Sequence, residues 1–143
     1  MPPPAILTGG AAVQSFLSRY SPHCYALMRI VAGFLFLWHG SQKLFDFPSA
    51  MPPGVPAYII YVAGPVELIG GILVMIGLFT RWAAFIASGQ MAFAYWIAHG
   101  TVAPLPIQNN GELAALYCFV FLYVAAQGSG IWSVDGCRRA CND

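Results

Sequence analysis

The sequence predicts an all-α integral membrane protein, a single bundle of four transmembrane helices with both the N- and C-termini in the cytoplasm. Three observations carry that reading. Of the 143 residues, 59% are hydrophobic and 8% charged, whereas soluble domains carry about 25% charged residues. A small domain has too much surface to stay dissolved with so little charge, so lipid must cover much of it. Four apolar stretches also approach the roughly 20 residues that a helix needs to cross hydrocarbon. Finally, the basic residues between those stretches fall on one side.

The segments are expected at residues 25–45, 57–79, 82–99 and 112–127 of a membrane domain spanning 22–136. Ser21-Pro22 reads as an N-cap with proline at the first helical position. Before it, residues 1–21 form a cytoplasmic segment. Val13, Phe16, Leu17 and Tyr20 recur there at helical spacing, which suits a short amphipathic helix on the membrane surface. Residues 46–56 hold Pro48, Pro52, Pro53, Gly54 and Pro56 and cannot be helical throughout. Thr80-Arg81 reads as a tight turn after Gly77, and residues 100–111 form a loop rich in proline and asparagine. Pro65 lies within the second segment, where a kink is expected. Residues 137–143 are a short cytoplasmic tail.

Four crossings collect Arg19, Arg81, Arg138 and Arg139 on one face, while the loops 46–56 and 100–110 contain no lysine or arginine. The positive-inside rule makes the basic face cytoplasmic. The stretch before Arg19 has no basic residue, so the first apolar segment reads as a retained helix and not as a signal peptide. Cys24, Cys118, Cys137 and Cys141 then avoid the exported loops, and no structural disulfide is expected. Cys137, Cys141 and His23 could meet on one face, but a Cys-x-x-x-Cys pair alone is not a metal site, and no metal is assigned. A net charge of +1 without a nucleic-acid motif argues against DNA or RNA as a partner. No phosphate loop, dinucleotide fingerprint, haem motif or iron–sulfur spacing occurs.

The chemical information lies in polar residues inside apolar segments. Each charge near mid-membrane costs ~2.5–3.5 kcal/mol on insertion scales, so such groups pair or line cavities. Arg29, His39 and Lys43 lie in the first segment, Glu67 in the second, Gln90 and His99 in the third, and Glu112 at the start of the fourth. From the helix rise, Glu67 and Gln90 lie centrally, His39, Lys43, His99 and Glu112 near the outer end, and Arg29 near the inner end. Arg29, Gly33, Phe36, Gly40 and Lys43 share one helical stripe, and Glu67 shares a face with Gly64 and Gly71. The glycines let helices approach closely around the polar groups. The expected pairings are Glu67 with Arg29 or Gln90, and Glu112 with Lys43 or His39. These seven residues either bind a ligand or lock the helices together.

The same residues carry a likeness. RIVAGFLFLWHGSQKLF, GPVELIGGILVMIGLFTRWAA, NNGELAALY and GIWSVDG occur in that order. They resemble the successive motifs of the DoxX family of small bacterial four-helix inner-membrane proteins. The resemblance implies a multi-pass protein of the bacterial inner membrane and points to Arg29, His39, Lys43, Glu67, Glu112 and Asp135. One departure is Asn110, where the family pattern has a second glycine.

The family is named from a subunit of a thiosulfate:quinone oxidoreductase, so the resemblance also implies association with a redox or oxidative-stress complex. No cofactor is fixed by the sequence. A quinone held between the helices fits an acid and two basic side chains among aromatics, and makes these seven residues candidate cofactor-binding groups. Two other readings stay open: an assembly subunit of a larger membrane complex, suggested by the short loops, and a small transporter or proton pathway, suggested by Glu67. Membrane lipid and another membrane or membrane-associated protein are the expected partners, and a homo-oligomer is compatible with the sequence.

Overall fold

A computed structural model describes residues 8–103 and 105–141, with side-chain surroundings from residue 17 onward. These residues are all-α. Helix α1 (Thr8–Phe45) is followed by a loop and a π-helical turn (Ile59–Ala63) that runs into α2 (Gly64–Ile76). Helix α3 (Thr80–Ala94) continues into a second π-helical turn (Tyr95–His99). A single turn, α4 (Pro106–Asn109), leads to α5 (Glu112–Gln127), and α6 (Val134–Ala140) follows. Among the described residues, two helical stretches are long and apolar enough to cross a membrane, Leu17–Phe45 and Ile59–Ile76; Glu112–Gln127 is apolar but shorter.

One expected break is corrected. Ser21-Pro22 does not start a helix, because α1 runs through Pro22 without interruption. A proline removes one backbone donor, and the long apolar run beyond it sustains the helix on both sides. The expected surface helix is therefore the first part of α1. Its Leu17 and Tyr20 are exposed, and Val13 and Phe16 lie outside the residues whose surroundings are described. Pro65 lies inside a continuous helical run, Ile59–Ile76, in the first turn of α2 directly after the π-helical turn. There Gly64 N–H reaches back five residues to Ile59 O, so the change of ladder falls where proline has no donor to offer.

Glycine sets the packing of α1 on α2. A Cβ built on Gly33 would lie 2.7 Å from Gly71 O, and one on Gly40 would lie 2.7 Å from Gly64 O. Gly71 in turn meets the backbone of Leu37. As numbers rise along α1 they fall along α2, so the helices are antiparallel with their backbones in contact. Helix α3 uses alanines for a similar approach to α5: Ala83, Ala84 and Ala87 are buried, and Ser88 Oγ donates to Cys118 O at 2.8 Å. The two helix pairs meet at Phe36, whose ring centroid lies 4.7 Å from that of Phe121 and 5.4 Å from that of Tyr117. Outside this narrow core the surface is oily, with Trp82, Trp96 and Phe119 each at least 70% exposed. An apolar exterior around a thin core is what lipid-facing helices present.

Candidate functional site

Three ionisable groups near one end of the bundle, Arg29, Arg81 and Asp135, serve as helix caps. Arg29 is fully buried and donates from Nη1 to Val74 O (2.6 Å) and Met75 O (2.8 Å), the last carbonyls of α2. From Nη2 it reaches Trp132 O (2.7 Å) and Ile131 O (3.3 Å). Arg81 donates to Ala125 O and Ala126 O at the end of α5, at 2.9 and 2.6 Å. A guanidinium suits both places, because it offers several donors and its charge complements the negative helix end. Asp135 does the converse for α3, accepting from Phe79 N–H (3.1 Å), Thr80 N–H (2.9 Å) and Thr80 Oγ1 (2.9 Å). The helix therefore starts at Thr80 and not at Trp82, since its cap comes from a residue far along the chain.

The expected pairing of Arg29 with Glu67 is thus absent: its guanidinium is committed to carbonyls at the end of α2. Glu67 is 2% exposed and pairs elsewhere. Lys43 Nζ lies 2.6 Å from its Oε2, and Gln90 Nε2 donates to its Oε1 at 2.8 Å. The expected Glu67–Gln90 contact is formed; Lys43 joins it rather than Glu112. Glu112 is exposed in the first turn of α5. That helix turns Ala114 and Tyr117 inward, and at about 100° per residue Glu112 faces away from them.

Above the Lys43–Glu67–Gln90 clamp lies a cavity of about 350 Å³ between the two helix pairs, within the range of small-molecule sites. Five of the seven candidates line it: His39, Lys43, Glu67, Gln90 and His99. Arg29 and Glu112 do not. The two π-helical turns border it through Ile59, Val62 and Ala63 on one side and Ile97, Ala98 and His99 on the other. Such turns carry an extra residue per turn and often shape functional sites. Val62 (63% exposed) and Phe93 (61% exposed) show that the wall between the second and third helical runs faces the apolar exterior.

Sequence reading missed Tyr58, Tyr117 and Asn109. The tyrosines line the cavity, but their aromatic rings gave no signal distinct from packing. Asn109 is 5% exposed and organises the neighbouring loop: its Nδ2 donates to Ala103 O (2.8 Å), and its Oδ1 accepts from Gly111 N–H (2.7 Å). Its backbone oxygen lies 2.9 Å from His99 Nδ1. The departure at Asn110 is explained by its backbone. Asn110 adopts φ +56°, a left-handed conformation open to glycine and, among other residues, best tolerated by asparagine.

An all-α chain with membrane-length apolar helices, capped at one end and holding a polar clamp beneath an apolar cavity, defines a small membrane protein with a ligand-sized site. The chain belongs to the DoxX family: the family model matches residues 25–100, which span α1 from Tyr25, α2, α3 and both π-helical turns. It is 43% identical over 126 residues to an uncharacterized protein of Haemophilus influenzae, covering 83% of this chain and 93% of that one. It is 28% identical over 116 residues to a protein of Bacillus subtilis named putative oxidoreductase CatD, covering 76% of this chain and 82% of that one. No solved structure matches the chain.

Proposed function

We propose that this DoxX-family protein is a subunit of a redox or oxidative-stress complex in the bacterial inner membrane, and that its cavity receives the ring of a quinone. The observation that carries this reading is the pairing of a mostly apolar cavity with a buried polar clamp at its base. Lys43 retains donor capacity beyond its bond to Glu67, and Tyr58, Tyr117 and His39 add polar tips among aromatic walls. The name of the Bacillus subtilis relative agrees with a redox setting. A bound quinone would supply the electron-carrying chemistry; this chain's residues would bind and orient its ring. The transport reading ranks lower because Phe36, Phe121 and Val74 fill the bundle beyond Glu67.

The proposed topology has four crossings and cytoplasmic ends. Thr80–Ala94 and Tyr95–His99 together supply a continuous helical run of membrane length at about 1.5 Å per residue. The shorter α5 would be accommodated by tilt or local thinning. Arg81 and Arg139 bond to neighbouring parts of one end, at Gln127 and Ser129, which supports a single basic face. In intact cells and inverted vesicles, cysteine labels at positions 81 and 49 should mark opposite faces. Labelling on the same face would overturn the topology.

Binding is tested by titrating the purified protein in nanodiscs with decylubiquinone, using empty nanodiscs as the blank. Saturable binding is expected, and Glu67→Gln should weaken it about tenfold while the protein still melts cooperatively. Absence of saturation by the folded protein would overturn the quinone reading.

A further inference from the structure

The second and third helical runs are tied at one level and separate at the next. Helices α2 and α3 lie on either side of the short turn at 77–79, and Gln90 Nε2 donates to Glu67 Oε1 across them at 2.8 Å. Beyond that bond each run passes into its π-helical turn, Ile59–Ala63 on one side and Tyr95–His99 on the other. Neither turn buries a single residue. The described ring contacts and side-chain bond of Tyr95 and His99 stay within their own run or go to Asn109, and none crosses to the other turn. Both turns line the cavity, which therefore occupies the space between them.

The cavity wall changes character across its width. Its inner side is Phe36, Met91 and Tyr117, all buried, with the Glu67 carboxylate at the base. Its α2–α3 side is Tyr58, Val62, Phe93 and Ile97, all exposed. Residues that line a cavity and also face the exterior mark its rim. At about 1.5 Å per residue, Val62 and Phe93 each stand roughly 20 Å from the turn at 77–79. Hydrocarbon is about 30 Å thick, so with the capped end at one interface the rim opens at a level surrounded by lipid. At the outer end the cavity reaches His99, where hydrogen bonds tie the chain: Asn109 O lies 2.9 Å from His99 Nδ1, and the Asn109 side chain bonds to Ala103 and Gly111.

We infer that this cavity opens sideways to the bilayer through the seam between the two π-helical turns, and that it takes a lipid-tailed amphiphile whose tail rests in that seam beside Val62 and Phe93. Size supports the division of such a ligand. At about 350 Å³ the cavity lies at the lower end of the range for small-molecule sites, about 300–1,000 Å³. It has room for a ring-sized polar head over the Lys43–Glu67–Gln90 clamp but not for a long chain as well, so the chain leaves by the rim. Lipid tails are as apolar as the rim residues, so the chain need never leave hydrocarbon and only the head changes its surroundings. The inference rests on the quinone reading above and specifies it: a quinone bound here carries a long apolar tail and comes from the membrane, not from water.

The test uses decylubiquinone carrying a diazirine on the ring-proximal part of its tail. It is photolysed with wild-type protein in nanodiscs, and adducts are mapped by mass spectrometry of the digested chain. They should concentrate at residues 58–63 and 91–98, and a large excess of plain decylubiquinone should reduce them at least tenfold. Calorimetry in the same discs shows separately whether the quinone saturates the protein. Saturation with competable adducts at the outer loops, 46–56 or 100–111, would turn the tail toward water and overturn the sideways opening while the quinone site stands. Saturation without competable adducts at the seam would do the same. Failure to saturate the folded protein overturns both readings.

Discussion

Gly33 of α1 and Gly71 of α2 face each other so closely that a methyl group on either would strike the other's carbonyl oxygen, at 2.7 and 2.8 Å. These contacts are to backbone, which cannot rotate aside. Gly33→Ala and Gly71→Ala should therefore lower stability in detergent by about 1–3 kcal/mol through forced separation of the helices. Gly70 is the internal control, since a Cβ there meets nothing within 4 Å. Gly70→Ala should leave the melting temperature unchanged or raise it, because alanine is the better helix former. Equal effects at positions 70 and 71 would show that the helices do not approach as described.

Glu67 and Lys43 should depend on each other. Glu67→Leu suits hydrocarbon by itself but leaves the Lys43 ammonium without its carboxylate, and breaking a buried pair from one side costs about 3–5 kcal/mol. Because the Lys43 side chain keeps 15% exposure, the lower part of that range applies. The double variant Lys43→Met/Glu67→Leu removes both charges and should recover most of the loss. A double-mutant cycle of melting temperatures in detergent measures the coupling, and additive losses would mean that the pair contributes nothing to folding.

How far the sequence announced this arrangement varies by residue. Gly33, Gly40, Gly64 and Gly71 could be read directly, because glycines repeating on one face of an apolar helix report close approach. The Glu67–Gln90 contact followed from equal depth in adjacent segments. The role of Arg29 did not, since its partners are backbone carbonyls that no side-chain pattern advertises. The start of α3 was obscured because its cap, Asp135, lies 55 residues beyond Thr80. Glu112 was matched to Lys43 or His39 by depth, but depth says nothing about rotation about the helix axis. Neither π-helical turn leaves a recognisable composition, so a ligand site among the polar residues was expected but the walls that these turns give the cavity were not.

Arg29 supports the fold by spanning two separate groups of carbonyls, those of α2 and those of residues 131 and 132. A lysine carries the same charge from a single point and cannot reach both. Arg29→Lys should destabilise the protein by about 2 kcal/mol or more, the scale of losing charged hydrogen bonds to buried acceptors. Decylubiquinone affinity should stay within about twofold, because Arg29 does not line the cavity. Chemical unfolding in mixed micelles, followed alongside binding, separates the two effects. A loss of affinity without a loss of stability would place Arg29 in the site after all.

Asp135 makes stability at the capped end depend on acid. Burial alone would raise its pKa, but the bonds from Thr80 N–H, Thr80 Oγ1 and Phe79 N–H, with the nearby charge of Arg139, outweigh that effect and hold the carboxyl below its ordinary range. The folded value thus lies under the unfolded one, about 3.9 for aspartate. The resulting stabilisation is fully present above the unfolded value and is lost as pH falls through the folded one. Replacing Asp135 by asparagine keeps an acceptor oxygen but removes the charge facing the positive start of α3. Asp135→Asn should therefore melt below wild type at neutral pH, by the equivalent of about 0.5–2 kcal/mol for a weakened cap. The gap should narrow in acid as the wild-type carboxyl takes up its proton. A gap that stays constant from neutral pH into that acid range would mean that Asp135 holds α3 by shape alone.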